Sequence, residues 1–158
     1  MIDSPLLPSL GGYINGQWTS ADNGKTLAVT NPVDGSHLAD VASMSGTETE
    51  RAIASAEAAF EQPANLDQRQ AWLESIAKAL TDHREELGRI LCMEHGKPLA
   101  EAQGEVDYAA GFFRYTADNV HELSSRTLNE RPRDCTWTVH YRPAGVVALI
   151  TPWNFPIG

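Results

Sequence analysis

Val146-Val147-Ala148-Leu149-Ile150-Thr151-Pro152-Trp153-Asn154-Phe155-Pro156-Ile157-Gly158 is the stretch whose reading decides the fold. Its first five residues are all apolar, without the polar alternation of a strand that keeps one face in water. A continuous apolar run reads as a strand covered on both faces, as in a parallel sheet flanked by helices. The expected fold class is therefore α/β, with a buried parallel strand starting at Val146. In such sheets ligands bind just past the carboxyl ends of the strands, and residues 151–156 are the segment leaving this one. Pro152 and Pro156 stiffen that segment and lack backbone donors, so the side chain of Asn154 between them is aimed. A carboxamide donates N–H without carrying charge, which suits a group that stabilises a transient oxyanion. Trp153 can wall a cofactor. These properties select no reaction by themselves, and an asparagine between prolines also serves simply as a turn former.

The rest of the 158-residue chain narrows the class. Twelve Lys and Arg stand against 21 Asp and Glu, a formal charge of −9. The basic residues are scattered singly, which argues against nucleic acid, where clustered cations must neutralise phosphates. Anionic lipid would repel the same surface. The 42% hydrophobic and 21% charged content fits about one ordinary globular domain. No apolar run approaches the roughly 20 residues that cross a bilayer. The opening MIDSPLLPSLGG has no basic n-region or long apolar stretch, so a cytoplasmic location is expected. Cys92 and Cys135 form no CxxC, and the five histidines show no metal-ligand spacing, so no metal is expected.

Upstream, local patterns alternate between strand and helix. Tyr13-Ile14 and Gln17-Trp18 flank Asn15-Gly16, a tight hairpin signal. Residues 27–30 and 37–42 form a second strand pair around the breaker Asn31-Pro32-Val33-Asp34-Gly35. Three helices are expected next. The first opens with a capping box, Thr47-Glu48-Thr49-Glu50. The second starts near Asp67 and runs through Leu91, and the third follows Gly96-Lys97-Pro98 and carries apolar residues from Leu99 to Val120. Trp72, Phe112, Phe113 and Tyr115 are expected to pack in the core. Glu48, Glu50, Glu85, Glu86, Glu101 and Glu105 are placed on solvated helix faces. Cys92 reads as a buried inert thiol, and Cys135 as the opening of an alternating strand over 136–142.

Five words tie these pieces to a known family. Tyr13-Ile14-Asn15-Gly16-Gln17-Trp18, Thr30-Asn31-Pro32, Glu94-His95-Gly96-Lys97-Pro98-Leu99-Ala100-Glu101-Ala102, Pro143-Ala144-Gly145-Val146-Val147 and Thr151-Pro152-Trp153-Asn154-Phe155-Pro156 occur in that order. Together they resemble the aldehyde dehydrogenase superfamily, and the wording is most similar to its bacterial succinate-semialdehyde dehydrogenases. The resemblance implies the N-terminal part of a Rossmann-like cofactor domain: short strands, three helices, a β-hairpin strand and the first buried parallel strand. Residues 1–132 would belong to the cofactor-binding domain, 133–145 to an oligomerisation strand, and 146–158 to the first Rossmann-like strand and active-site loop.

The resemblance also implies a reaction, in which a cysteine thiolate attacks an aldehyde and hydride passes to NAD or NADP. Asn154 matches the asparagine that holds the oxyanion. Ile150, Thr151, Pro152, Trp153 and Asn154 match the cofactor-facing segment, and Phe155 a wall of the substrate pocket. The match reaches only the opening portion of the family pattern. The nucleophilic cysteine and the glutamate base have no counterpart here, so the chain alone is expected to be inactive. An aldehyde substrate, possession of the family's dimeric or tetrameric assembly, and succinate semialdehyde as substrate are expectations for the full enzyme. The alternative is a non-catalytic binding or assembly module that keeps the family's shape.

Overall fold

A computed structural model of the protein describes residues 2–158. Two hairpins open the chain. Strands β1 (Gly12–Ile14) and β2 (Gln17–Thr19) pair antiparallel with Tyr13 opposite Trp18. Asn15 and Gly16 between them take positive φ of 50° and 75°, the geometry that the Asn-Gly pair tolerates. The rings of Tyr13 and Trp18 meet edge to face at 5.0 Å, a cross-strand contact that reinforces the register. Strands β3 (Thr26–Thr30) and β4 (His37–Ala42) form the second hairpin, with an irregularity at Val29/Thr30. Leu38 and Ala39 of β4 are buried.

Four helices follow: α1 (Gly46–Phe60), α2 (Leu66–Asp82), α3 (Arg84–His95) and α4 (Leu99–Asn119). The expected second helix is thus two. Its apolar stripe runs in phase across the break, which hid the break from the pattern. At the junction, Thr81 turns its hydroxyl back onto the Ala77 carbonyl and His83 leaves helical geometry, with ψ at 16°. Thr, Asp and His at 81–83 are weak helix formers, and the bend lets α2 and α3 each pack on α4. The core lies there, on the α4 stripe of Ala102, Val106, Ala109, Ala110 and Ala117. Gly96 ends α3 in a left-handed conformation, φ 80°, as expected of a C-terminal glycine.

The capping box at the start of α1 is Ser45 with Glu48, not Thr47 with Glu50. Two such templates overlap in the sequence, and Ser45 is the residue with extended backbone, at φ −111° and ψ −174°. Glu48 is only 1% exposed, contrary to its expected solvation. Its carboxylate accepts from the backbone N–H of Asp22 at 2.7 Å and of Ser45 at 2.9 Å, joining the start of α1 to the segment after β2. The Ser45 hydroxyl and these backbone donors hold its pKa down at about 2.

A carboxylate whose pKa falls on folding binds fewer protons in the folded state, so its contribution is complete above pH 4.5 and is lost as pH falls toward 2. Glu48→Gln is therefore expected to flatten the decline of stability between those limits. Urea unfolding midpoints measured across that range check it, and an unchanged pH slope would count against the Glu48 linkage.

Two expectations for the last quarter change. The alternating strand over 136–142 shortens to β6 (Thr138–Val139), paired with β5 (Arg126–Thr127), and Cys135 sits before it in an exposed turn. Residues 146–150 form no ladder, and Leu149 and Ile150 are 86% and 94% exposed rather than buried. A parallel strand exists only beside partners reached through long crossovers, and all three sheets among the described residues are two-stranded antiparallel hairpins. Phe112 and Tyr115 are also exposed, because small alanines and Val106 occupy the buried side of α4, and Trp72 is exposed on α2, whose buried residue is Ala77. Cys92 is half-buried in α3.

Candidate functional site

Residues 151–156 form a tight turn. The Phe155 N–H donates to the Pro152 carbonyl at 3.2 Å, which places Trp153 and Asn154 at the two central positions. Pro152 and Pro156 bracket this turn, and the Thr151 hydroxyl lies 3.5 Å from the Pro156 carbonyl, a long contact across its base. The Asn154 carboxamide is exposed and, among the described residues, bonds to no protein group. Its donors are free for an incoming oxygen. The structure gathers Thr151, Pro152, Trp153, Asn154 and Phe155 on one turn, with Ile150 leading into it. Ile150 and Trp153, the latter 84% exposed, together present bare apolar surface.

The turn is held from below by Lys97 and by Glu105, which was expected on a solvated helix face. Lys97, in the link between α3 and α4, ion-pairs with Glu105 one and a half turns into α4, and their side chains are 10% and 1% exposed. The Lys97 ammonium also donates to the Asn154 backbone carbonyl at 3.2 Å and stands 5.0 Å over the Phe155 ring. The other oxygen of Glu105 accepts from the Ile157 N–H at 3.0 Å. Gly158 sits so close that a Cβ there would lie 3.1 Å from the Glu105 side chain and 3.2 Å from the Tyr108 ring.

Glu105 was expected on a solvated face, yet it is buried. A sequence signal for this exists: Glu105 is three residues after Ala102 and four before Ala109, so it falls in the buried stripe. Burial alone would raise its pKa, but the Lys97 ammonium and the backbone donors of Ile157 and Gly158 outweigh it. The carboxyl is held below its ordinary range.

Among the described residues, the 151–156 turn stands apart from the groove beside α1. A groove of about 800 Å³ lies between α1 and residues 145–148, lined by Ile53, Phe60, Val146 and Val147 among others. Its apolar walls continue the uncovered edge of residues 146–150. Among the described residues no three His, Cys, Asp or Glu side chains stand together as a metal site, and no helix is long and apolar enough to cross a membrane.

Comparison with known proteins adds the following. A sequence profile of the Aldehyde dehydrogenase family matches residues 18–158. The glutarate-semialdehyde dehydrogenase of Pseudomonas putida is 40% identical over 146 residues, which cover 91% of this chain and 30% of that enzyme. The NADP+ succinate-semialdehyde dehydrogenase GabD of Escherichia coli is 38% identical over 145 residues, covering 90% of this chain and 30% of that enzyme. The solved structure of an oxidoreductase from Marinobacter aquaeolei superposes with a TM-score of 0.93 at 54% identity, over all of this chain and 34% of that one. The chain thus spans about a third of the length of the proteins it matches.

Proposed function

Because the chain belongs to the aldehyde dehydrogenase family, we propose that it carries the oxyanion-binding turn of an NAD- or NADP-dependent dehydrogenase that oxidises an aldehyde to the acid. The single observation behind this reading is the Pro152–Pro156 turn, with its free Asn154 carboxamide at the exit of an apolar segment. When a nucleophile adds to an aldehyde, the carbonyl oxygen gains charge. Asn154 donates N–H to that oxygen and, being neutral, changes no protonation state. Phe155 walls the substrate side. Semialdehydes, including succinate semialdehyde, are the favoured substrate class, supported by the names of the relatives.

The exposed apolar faces of Ile150 and Trp153 fit a flat aromatic ring. Ile150, Thr151, Pro152, Trp153 and Asn154 would hold the nicotinamide end of NAD or NADP, which when bound accepts a hydride. Neither cysteine belongs to this turn: Cys92 is half-buried in α3 and Cys135 lies in the turn before β6. We read the nucleophile that the family reaction requires as lying outside these 158 residues. In the assembled enzyme, residues 133–145 with β6 would contribute to subunit association as a dimer or tetramer.

The test is kinetic. A complete enzyme carrying this segment is expected to reduce NAD or NADP in step with aldehyde loss, whereas the 158-residue chain alone shows no turnover. Aldehyde oxidation by the chain alone at enzyme-like rates would overturn the placement of the nucleophile.

The uncovered run at 146–150 favours a second outcome for the isolated chain, self-association through an unpaired apolar edge. Ile150→Lys is expected to shift it toward monomer in light-scattering chromatography, since a lysine on an exposed edge opposes pairing. A wild-type chain that is already monomeric and melts cooperatively would favour the self-standing module.

A further inference from the structure

We propose that Lys97 and Glu105 are positioning residues, a buried pair that fixes the backbone of residues 154–157 to the first turns of α4. The site of Asn154 is then set by a helix and not by its loop. This assignment rests on the reading of Asn154 as the oxyanion donor.

The geometry is convergent. Lys97 comes from the three-residue link between α3 and α4 and Glu105 from within α4, so the pair ties the chain end to the start of that helix. The ammonium serves the carboxylate, the Asn154 carbonyl and the Phe155 ring. The carboxylate serves the ammonium and the Ile157 N–H. One backbone carbonyl, one aromatic ring and one backbone N–H of residues 154–157 are thus gripped by a single ion pair. Those three points start at the carbonyl of the residue that carries the carboxamide and run C-terminal from it, which leaves the Asn154 side chain free while restraining the backbone that follows it.

Pairing explains how a carboxylate with 1% side-chain exposure is tolerated at a core position of α4. A charge removed from water is retained only with its partner and with its remaining hydrogen-bonding capacity satisfied. A helix-stabilising role alone would need neither the Asn154 carbonyl nor the Ile157 N–H.

The experiment is amide hydrogen exchange on the 158-residue chain, read at Phe155 and Ile157 and along α4. Glu105→Leu is expected to speed exchange at Ile157 by about tenfold or more, the loss of a hydrogen bond to a charged group, and Lys97→Met, which strands the Glu105 carboxylate and releases the Asn154 carbonyl, is expected to speed it severalfold. The α4 amides from Val106 to Ala117 should change far less. Either single variant strands one buried charge or removes an acceptor and can unfold the chain, so the double variant Lys97→Met/Glu105→Gln is the control. It removes both charges and keeps an acceptor for Ile157, and exchange there should return to within about threefold of wild type.

Unchanged exchange at 155 and 157 in the single variants overturns the proposal. So does an equal rise along the whole of α4, or a double variant that fails to recover. If exchange responds as expected while Asn154→Ala leaves a complete enzyme's turnover untouched, the reading of Asn154 fails and the anchor stands.

Discussion

Asn154→Ala is expected to lower kcat of a complete dehydrogenase carrying this segment by about a hundredfold or more, with KM for the aldehyde little changed. The loss corresponds to about 3 kcal/mol of transition-state stabilisation, the usual cost of removing one oxyanion donor. The split between kcat and KM follows because the carboxamide meets full negative charge only as the carbonyl becomes tetrahedral. Asn154→Asp is the sharper variant: it keeps the shape but replaces the donor with an anion, and its turnover should fall further. Steady-state kinetics with saturating cofactor measure both. A kcat unchanged in Asn154→Ala would remove the carboxamide from the mechanism.

Gly88→Val is expected to destabilise the chain by about 3 kcal/mol, seen as a lower urea midpoint at constant slope. Gly88 is buried in α3 where that helix meets α4. A Cβ there would lie 2.6 Å from Cγ of Gln103 and 3.2 and 3.3 Å from its backbone N and Cα. The side chain can swing away, but the backbone of α4 cannot. A branched residue must therefore push the helices apart. Gly88→Ala should cost much less, because alanine gains about 1 kcal/mol in helix propensity over glycine, which offsets part of the overlap. Equal stability of the valine variant and wild type would show that the helices do not approach this closely.

What could be read from the chain itself followed the range of the forces involved. The Asn15-Gly16 turn, the second hairpin and the glycine end of α3 depend on neighbours a few residues away, and they appear where expected. The start of α1 was ambiguous because Ser45/Glu48 and Thr47/Glu50 both satisfy the capping pattern, and only backbone geometry separates them. The break at His83 escaped because an apolar stripe records which face is buried and not whether the axis is continuous. Residues 146–150 were recognisable as strand-like by composition, but burial requires partners that periodicity within one segment cannot supply.

The candidate site divides along the same line. The turn with Asn154 was visible, since two prolines around one carboxamide are a local feature. Its hold on α4 was not, because a buried carboxylate is acceptable only where Lys97 and the Ile157 N–H converge from distant points in the chain. Glu48 escaped for the same reason, its partner N–H lying at Asp22.

The three-residue link Gly96-Lys97-Pro98 has a mechanical corollary. A Cβ on Gly96 would come within 2.9 Å of Pro32, so the link is wedged against the bend between β3 and β4 on one side while Lys97 grips the tail on the other. Thermal opening of that bend would loosen the grip, and the second hairpin and the tail should open as one cooperative foldon despite their separation in the chain.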